Sequence, residues 1–381
     1  MKPRLVILTE IIAPYRIPIF NALAARPDID LHVIFLSETD PSLRQWHVDK
    51  QGIRFSFEVL PSSRCRVGSY NVLLNRGVAS VLRLSQPDVI LCGGYNYLAS
   101  WTAAYWAKRR KIPLLLWSES TEKDSRNLHR PVELLKRRFR GLCRAFLAAG
   151  ESSREYLLSL GVPASAVFVA PNAVDVDFYS TLASRSRQSS DAARLKLSLP
   201  ARYFVYVGRL VREKGVFDLL SAYAALDDTS RSRIGLVFVG DGPARAALER
   251  QAAGFDIVRF TGFLQKEETP AVYAQAEALV LPTYSDTWGL VVNEAMACGL
   301  PVIVSAVAGC AADLVIEGRT GFRFPAHDVA NLTSILRRFV ESPDLRSRMG
   351  AESFQHIQRY TPSVWAGRAA SAVGAVVGGH A

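Results

Sequence analysis

The sequence predicts an α/β protein made of two Rossmann-like, doubly wound domains. Three observations predict it. Short apolar, β-branched runs alternate with helical patterns over nearly the whole length, which is how parallel strands covered by helices on both faces read. The chain has 381 residues, too many for one ordinary core and suited to two domains of common size. Residues 180–191 (STLASRSRQSSD) are Ser/Arg-rich, lack apolar periodicity and read as a linker or exposed insertion between the halves.

Taken in order, the first half offers strands at residues 5–10, 31–36, 55–60, 88–94, 113–119, 145–150 and 167–172, with helical stretches such as IPIFNALAA and YLASWTAAYWAKRRK between them. The second half repeats the theme at 203–209, 235–242, 257–263, 278–284 and 301–305. At the end, RYTPSVWAGRAASAVGAVV (359–377) predicts a helix with Thr361 as N-cap and Pro362 in the first turn, followed by a fraying GGHA tail. The expected domains are residues 1–177 and 178–358. Ligands of such sheets bind at the carboxyl ends of the strands, so two edges facing each other across a cleft are expected.

Composition narrows the functional classes. Hydrophobic residues at 49% and charged residues at 21% are those of a folded globular protein. Five scattered cysteines (Cys65, Cys92, Cys143, Cys298, Cys310) form no CxxC pair and no His/Cys cluster, which argues for a reducing compartment and against a zinc site. The first apolar run, LVIL, is too short for an export signal, and no apolar segment approaches the roughly 20 residues of a membrane span. A cytoplasmic protein is expected, at most peripheral at the inner face of a membrane. The net charge of +11 is uneven: residues 1–180 hold 24 Lys/Arg against 16 Asp/Glu, and residues 181–381 hold 22 against 19. The excess gathers in WAKRRK (106–111) and LLKRRFRGLCR (134–144), which suits an anionic membrane, although a solvated helix face gives the same pattern. No nucleic-acid recognition module accompanies these clusters, so no nucleic-acid partner is expected.

The chemistry concentrates in residues 286–305 (DTWGLVVNEAMACGLPVIVS). Thr287, Trp288, Gly289 and Leu290 should lead the chain into a helix running to about Cys298. The free amides of Gly289, Leu290 and Val291 at its start make an anion site at the positive end of the helix dipole. Glu294 lies one turn inward from Leu290 on the same face. A carboxylate near a phosphate needs hydrogen-bond donors between them, and ribose hydroxyls would serve. Asp286, ahead of the helix, is placed to accept from sugar hydroxyls. A helix-start acid complementing the dipole would explain Asp286 fairly well, but an acid inside an otherwise apolar helix calls for a partner. Upstream, YVGRLVREKG (206–215) follows a strand. Gly208 allows a tight exit, and Arg209 and Lys214, five residues apart, suit a diphosphate. GDGP (240–243) lacks the glycines of a complete dinucleotide fingerprint and reads as a turn into a helix. At a further strand end, Gly262 lets a ligand approach the backbone. Phe263 either borders a nucleobase or belongs to the core.

GRLVREKG, GDGP, FTGFL and WGLVVNEAMACGLPVIVS, in this order over residues 203–325, resemble the donor half of retaining family-4 glycosyltransferases of the GT-B fold. The first half resembles the same family more loosely. The resemblance implies that Arg209 and Lys214 grip the diphosphate of a UDP- or GDP-sugar, Glu294 holds its ribose, the Gly289, Leu290 and Val291 amides cap the phosphate, and Asp286 contacts the sugar. Where the family has Glu at the first position of the acidic pair, this chain has Asp286, one methylene shorter. The resemblance also implies that the C-terminal helix crosses back onto the first domain.

The first half must then supply the acceptor site. The segment TEIIAPYRIPIF (9–20) follows the first strand and resembles the family loop that faces the donor sugar, with Ala13 and Pro14 where a Gly-Gly pair is common. Tyr15 and Arg16 there, with Tyr95 and Asn96 in GGYNY and Glu119 in WSES, are the candidate acceptor contacts. Glu119 reads as an acceptor-orienting or base-like carboxylate, or equally as a buried cap. None of the six histidines suits a catalytic position: His32 alternates on a strand and His129 lies in a basic loop. Asp175 and Asp177 (DVD) mimic a metal-binding DxD but sit at the domain junction, and the structural reading is preferred. The sequence thus predicts a metal-independent transferase, with no cofactor beyond the nucleotide sugar, acting on a carbohydrate or lipid-linked acceptor in polysaccharide or glycolipid assembly. The alternatives are a nucleotide-sugar-binding scaffold without activity, an epimerase, which would need more acids around the sugar, and a dehydrogenase, which the incomplete glycine motif disfavours.

Overall fold

A computed structural model describes residues 2–39, 46–67, 70–123, 130–188, 194–342 and 344–378. His129, the tail residues 379–381 and the end of the 180–191 stretch lie outside the described residues. The chain divides into two compact units, residues 1–173 with 362–381 and residues 174–361. The division thus falls between Ala173 and Val174, four residues ahead of the boundary expected from the sequence. It falls there because Val174 and Val176 pack into the core of the second unit while Ala173 packs into that of the first.

Among the described residues, unit 1 has a parallel sheet of β1 (Arg4–Thr9), β2 (Asp30–Phe35), β3 (Ser56–Val59), β6 (Val89–Cys92), β7 (Leu114–Ser118), β8 (Ala145–Ala148) and β9 (Val167–Val169), in the order β3-β2-β1-β6-β7-β8-β9. A separate antiparallel hairpin of β4 (Ser62–Val67) and β5 (Tyr70–Asn75) stands between β3 and β6 in sequence. The sequence reading did not anticipate it: polar and charged residues fill β4 (SSRCRV), and asparagines flank the short apolar run of β5 (YNVLLN). The main sheet is buried on both faces. Leu5 and Ile7 enter one core layer, Val6 and Leu8 the other, which is why β1 reads as an unbroken apolar run. One layer is completed from the far end of the chain, where the helix Pro362–Gly378 packs against the helix Ile17–Ala24. Its Trp365, fully buried, lies 5.0 Å from Trp117 and 6.1 Å from Phe20 between ring centroids.

Unit 2 repeats the plan with β10 (Tyr203–Val207), β11 (Gly235–Val239), β12 (Val258–Gly262), β13 (Ala278–Leu281), β14 (Val302–Ser305) and β15 (Gly321–Phe324), in the order β12-β11-β10-β13-β14-β15. The pairings are all parallel. Tyr203 and Val205 face one layer, Phe204 and Tyr206 the other. Much of the stretch read as a linker is the helix Val176–Gln188, a correction to the sequence expectation. Its serines and arginines hide a spaced apolar stripe: Val176, Tyr179 and Ala183 are buried at intervals of three and four, one face of a helix. Among the described residues, no helix is long and apolar enough to cross a membrane.

Candidate functional site

In a doubly wound sheet the strand order reverses beside the first strand, and the loops leaving the two strands there part to opposite faces, opening a crevice at their carboxyl ends. In unit 2 those strands are β10 and β13. The β10 exit carries Gly208, Arg209 and Lys214; the β13 exit carries Asp286, Trp288 and Gly289. Residues that the sequence separates by about seventy positions are thereby neighbours.

The two exits are bonded together. Tyr284 N donates to Glu213 O at 2.9 Å, and the buried Thr283 hydroxyl lies 3.3 Å from the same carbonyl. Lys214 Nζ donates to Asp286 Oδ2 at 2.6 Å, an ion pair with each side chain about one-fifth exposed. The other oxygen of Asp286 accepts from Trp288 N at 3.2 Å. The loop after β14 fixes this segment from its other side, Gly309 N donating to Asp286 O and Cys310 N to Trp288 O. Gly215 turns the β10 exit into the next helix at φ +66°, so close to β13 that a Cβ there would lie 1.9 Å from Pro282 O. The site is therefore set by backbone contacts before any ligand arrives.

The helix Leu290–Ala297 starts at this point, with Gly289 (φ +98°) as its N-cap and no side chain capping it. A Cβ at Gly289 would come within 2.7 Å of Leu281 Cδ2, so a side chain would strain the left-handed backbone and push the tip of Leu281 aside. Trp288 is buried and does not face the crevice; its indole N–H donates to Asn293 Oδ1 at 2.8 Å and pins the loop to the helix. Leu290 and Val291 are half-buried. Glu294, one turn in, is half-buried and accepts from Tyr273 OH at 2.9 Å. Burial pushes its carboxyl group up to about 7, against the opposing bonds from Tyr273 and Tyr179. Arg209 is exposed and, among the described residues, forms no ion pair; its carbonyl accepts from the buried Tyr206 hydroxyl at 2.8 Å. Gly262 ends β12 at φ +77°, and Phe263 beyond it is 39% exposed, available to a flat ligand rather than lost in the core. Asp241 of the GDGP turn pairs with Arg245 at 3.5 Å.

In unit 1 the corresponding reversal is between β1 and β6. Thr9 ends β1, and a Cβ on Gly93 after β6 would meet its hydroxyl at 3.2 Å. Arg16 occupies the centre, donating to Thr9 Oγ1 at 2.6 Å and lying 3.4 Å from Glu119 Oε1. Its guanidinium stacks over Trp117 at 4.6 Å. Burial opposes its charge, but Tyr15, Glu119, Glu10 and Tyr97 outweigh that and hold its pKa above the ordinary value. Asn172 Nδ2, after β9, reaches the same Glu119 oxygen at 3.4 Å. Tyr15 packs edge-on against Trp46. Tyr95 is half-buried, its carbonyl accepting from Trp101 Nε1, and Asn96 is exposed. Sequence reasoning missed Thr9, Trp117, Asn172, Tyr179 and Tyr273. For the last two, the signal was a tyrosine on the apolar stripe of a helix.

Other candidates resolve into structural roles. Asp175 Oδ1 accepts from Phe178 N at the start of the Val176–Gln188 helix, and Asp177 is exposed. His32 sits on β2 with one ring nitrogen 2.8 Å from Ser56 Oγ and the other 3.0 Å from Glu58 Oε1. Among the described residues, no three His, Cys, Asp or Glu side chains form a metal-binding group. A cavity of about 1030 Å³ in unit 1, lined by Arg137, Arg140, Arg144 and Ser165 among others, opens at the amino ends of β8 and β9. It lies away from the strand exits where Arg16 and Glu119 sit.

Two such sheets, with a cationic loop and an uncapped helix start at the reversal point of the second, define the GT-B glycosyltransferase class. Residues 19–178 match Glycosyltransferase Family 4 and residues 188–356 match Glycosyl transferases group 1. The chain belongs to this family. It is 37% identical over 183 residues to the D-inositol 3-phosphate glycosyltransferase of Streptomyces scabiei, a match covering 44% of this chain and 41% of that protein. Over 180 residues it is 37% identical to the sulfoquinovosyl transferase SQD2 of Arabidopsis thaliana, covering 46% of this chain and 34% of that one. The matches thus span less than half of these relatives. HepE of Anabaena, solved in complex with UDP, superposes with a TM-score of 0.74 over 98% of this chain and 100% of its own, at 20% identity. At that identity the likeness concerns the fold.

Proposed function

We propose that the protein is a metal-independent retaining glycosyltransferase that binds a nucleoside-diphosphate sugar in unit 2. The observation that carries this reading is the meeting of Lys214 and Asp286 at the β10/β13 reversal, beside the uncapped start of the Leu290–Ala297 helix. Arg209, Lys214 and the helix amides take the diphosphate and stabilise the charge that builds on it as it leaves. Glu294 accepts from the ribose hydroxyls, Phe263 borders the base, and Asp286, while holding Lys214, faces the sugar. In the transfer step the acceptor oxygen bonds to the anomeric carbon as the bond from that carbon to the diphosphate oxygen breaks. The acceptor proton passes to a phosphate oxygen, so no side-chain base is required. HepE was solved with UDP, which makes a UDP-sugar the first ligand to try, with a GDP-sugar beside it. Unit 1 receives the acceptor around Arg16 and Glu119, with Tyr15, Tyr95 and Asn96 at its margin, in polysaccharide or glycolipid assembly. A melting screen tests the donor assignment, because a ligand that binds only the folded protein raises its melting temperature. UDP- or GDP-sugars should stabilise the protein with and without chelator; stabilisation by neither, or only with added metal, would overturn it.

A second reading concerns location. On the helix Arg130–Arg140, Leu134 and Leu135 are 68% and 53% exposed, directly before Lys136, Arg137 and Arg138. Exposed leucines beside cations suit the interface of an anionic membrane. We therefore infer peripheral attachment through this helix. Replacing both leucines by Ser should abolish sedimentation with phosphatidylglycerol vesicles, and binding that survives the change excludes this face.

A further inference from the structure

Glu294 is fixed by residues that the donor assignment does not use. Tyr273, in the helix Thr269–Gln275, is completely buried, and its hydroxyl donates to Glu294 Oε2 at 2.9 Å. Tyr179, on the helix Val176–Gln188, is a second hydroxyl partner. Among the described residues, no Lys, Arg or His forms an ion pair with Glu294. Three cations on or beside the packed elements are committed elsewhere. Arg187 bonds to the carbonyls of Ala274 and Cys298, Arg346 to those of Ala274 and Ala276, and Lys266 lies over the Phe178 ring. The remaining titratable neighbours, Cys298 and Glu267, supply no positive charge. A carboxylate in such a place is held by neutral donors alone, and neutral donors fix its direction more than they favour its charge.

We propose that Tyr273 is a positioning residue for the donor, fixing one oxygen of Glu294 so that the other accepts from a vicinal diol, and that this contact forms with the ionised carboxylate, making donor binding proton-coupled. The proposal rests on the assignment of Glu294 to the ribose. Burial lifts the Glu294 carboxyl to about 7, so a protonated fraction is present near neutrality when no ligand is bound. Diol hydroxyls arriving as donors favour the ionised form, so binding releases protons and affinity falls as pH drops below about 7. Removing the Tyr273 hydroxyl takes away a donor to the carboxylate and moves this midpoint upward.

Calorimetry with an intact nucleotide sugar tests this, since its diphosphate, esterified at both ends, does not titrate near neutrality. UDP-glucose is the probe, or GDP-mannose should the melting screen select guanine. In wild type, heats measured at pH 6.5 in two buffers of different ionisation enthalpy should show release of a fraction of a proton, and none for the 2′,3′-dideoxy analogue. Tyr273→Phe should weaken binding at pH 7 by roughly fivefold and raise the midpoint by about half a pH unit. In Glu294→Gln, adding Tyr273→Phe should change nothing further. Wild-type binding without proton release overturns the proposal even if Tyr273→Phe does not fold. So does a folded Tyr273→Phe with unchanged affinity and midpoint. In both outcomes binding itself persists and the donor site stands, whereas failure of both UDP- and GDP-sugars to bind wild type defeats the donor assignment.

Discussion

Units 1 and 2 are built on the same sheet plan and gather polar residues at the same place, yet they assemble them differently. In unit 2 the working groups come from two adjoining loops, and backbone bonds such as Tyr284 N to Glu213 O lock those loops together. Glycines set the approach: Gly215 lies against Pro282 and Gly289 against Leu281. In unit 1 the cluster depends on one side chain, Arg16, which collects Thr9 from the end of β1 and Glu119 from beyond β7, while Asn172 from beyond β9 joins through Glu119. A site held by backbone is determined by short segments. A site held by one long side chain is determined by residues more than a hundred positions apart, and it tolerates different neighbours.

Four changes test that contrast. The largest effect is expected from Gly215→Ala: a left-handed backbone and a carbonyl 1.9 Å from the new carbon should cost roughly 3 kcal/mol or more, seen as an early melting transition of unit 2. Full-strength melting would show that the loops are not locked. Lys214→Ala should lower nucleotide-sugar affinity and transfer by about a hundredfold or more in steady-state assays, while leaving melting nearly intact. Arg16→Lys keeps the charge but loses the planar fork. Transfer should fall about tenfold with nucleotide-sugar affinity unchanged, and an equal loss in both would mean that the two clusters do not divide the work.

The last test concerns pH. The carboxyl of Glu294 sits near 4.5 when unfolded and about 7 when folded, so the folded state binds the extra proton. Its contribution is complete below about pH 4.5 and is lost as pH rises through 7. Without ligand, wild type should lose at most about 3 kcal/mol of stability from this group between pH 5 and 8, less to the extent that water reaches it. Glu294→Gln should flatten that slope in denaturant titrations.

Unit 2 was the more legible half in sequence for the same reason. GRLVREKG and WGLVVNEAMACG each lie within a dozen residues, and their glycines and charges show in a linear string. Most strands were legible in both units because parallel strands buried on both faces are continuous apolar runs; β15 (GFRF), four residues interrupted by the exposed Arg323, was not. The β4/β5 hairpin, with its polar first strand, was not. Nor was the Val176–Gln188 helix, where charge and serine mask a three-residue stripe, nor the Tyr273 contact, which joins the motif-bearing Leu290–Ala297 helix to the helix Thr269–Gln275, which carries no motif. The Lys214–Asp286 pair was half legible: both residues stood out, but each was assigned to the ligand and not to the other.

The placement of the Pro362–Gly378 helix in unit 1 has a consequence for how the protein is made. Unit 2 is an insertion in unit 1, so the unit whose synthesis begins first is the last to be completed. On the ribosome, β1 to β9 must wait with an open apolar face until Trp365 emerges to cover Trp117 and Phe20, by which time the whole of unit 2 has been translated. A nascent chain stopped short of residue 362 would therefore carry a finished unit 2 and an unfinished unit 1, a natural substrate for chaperones.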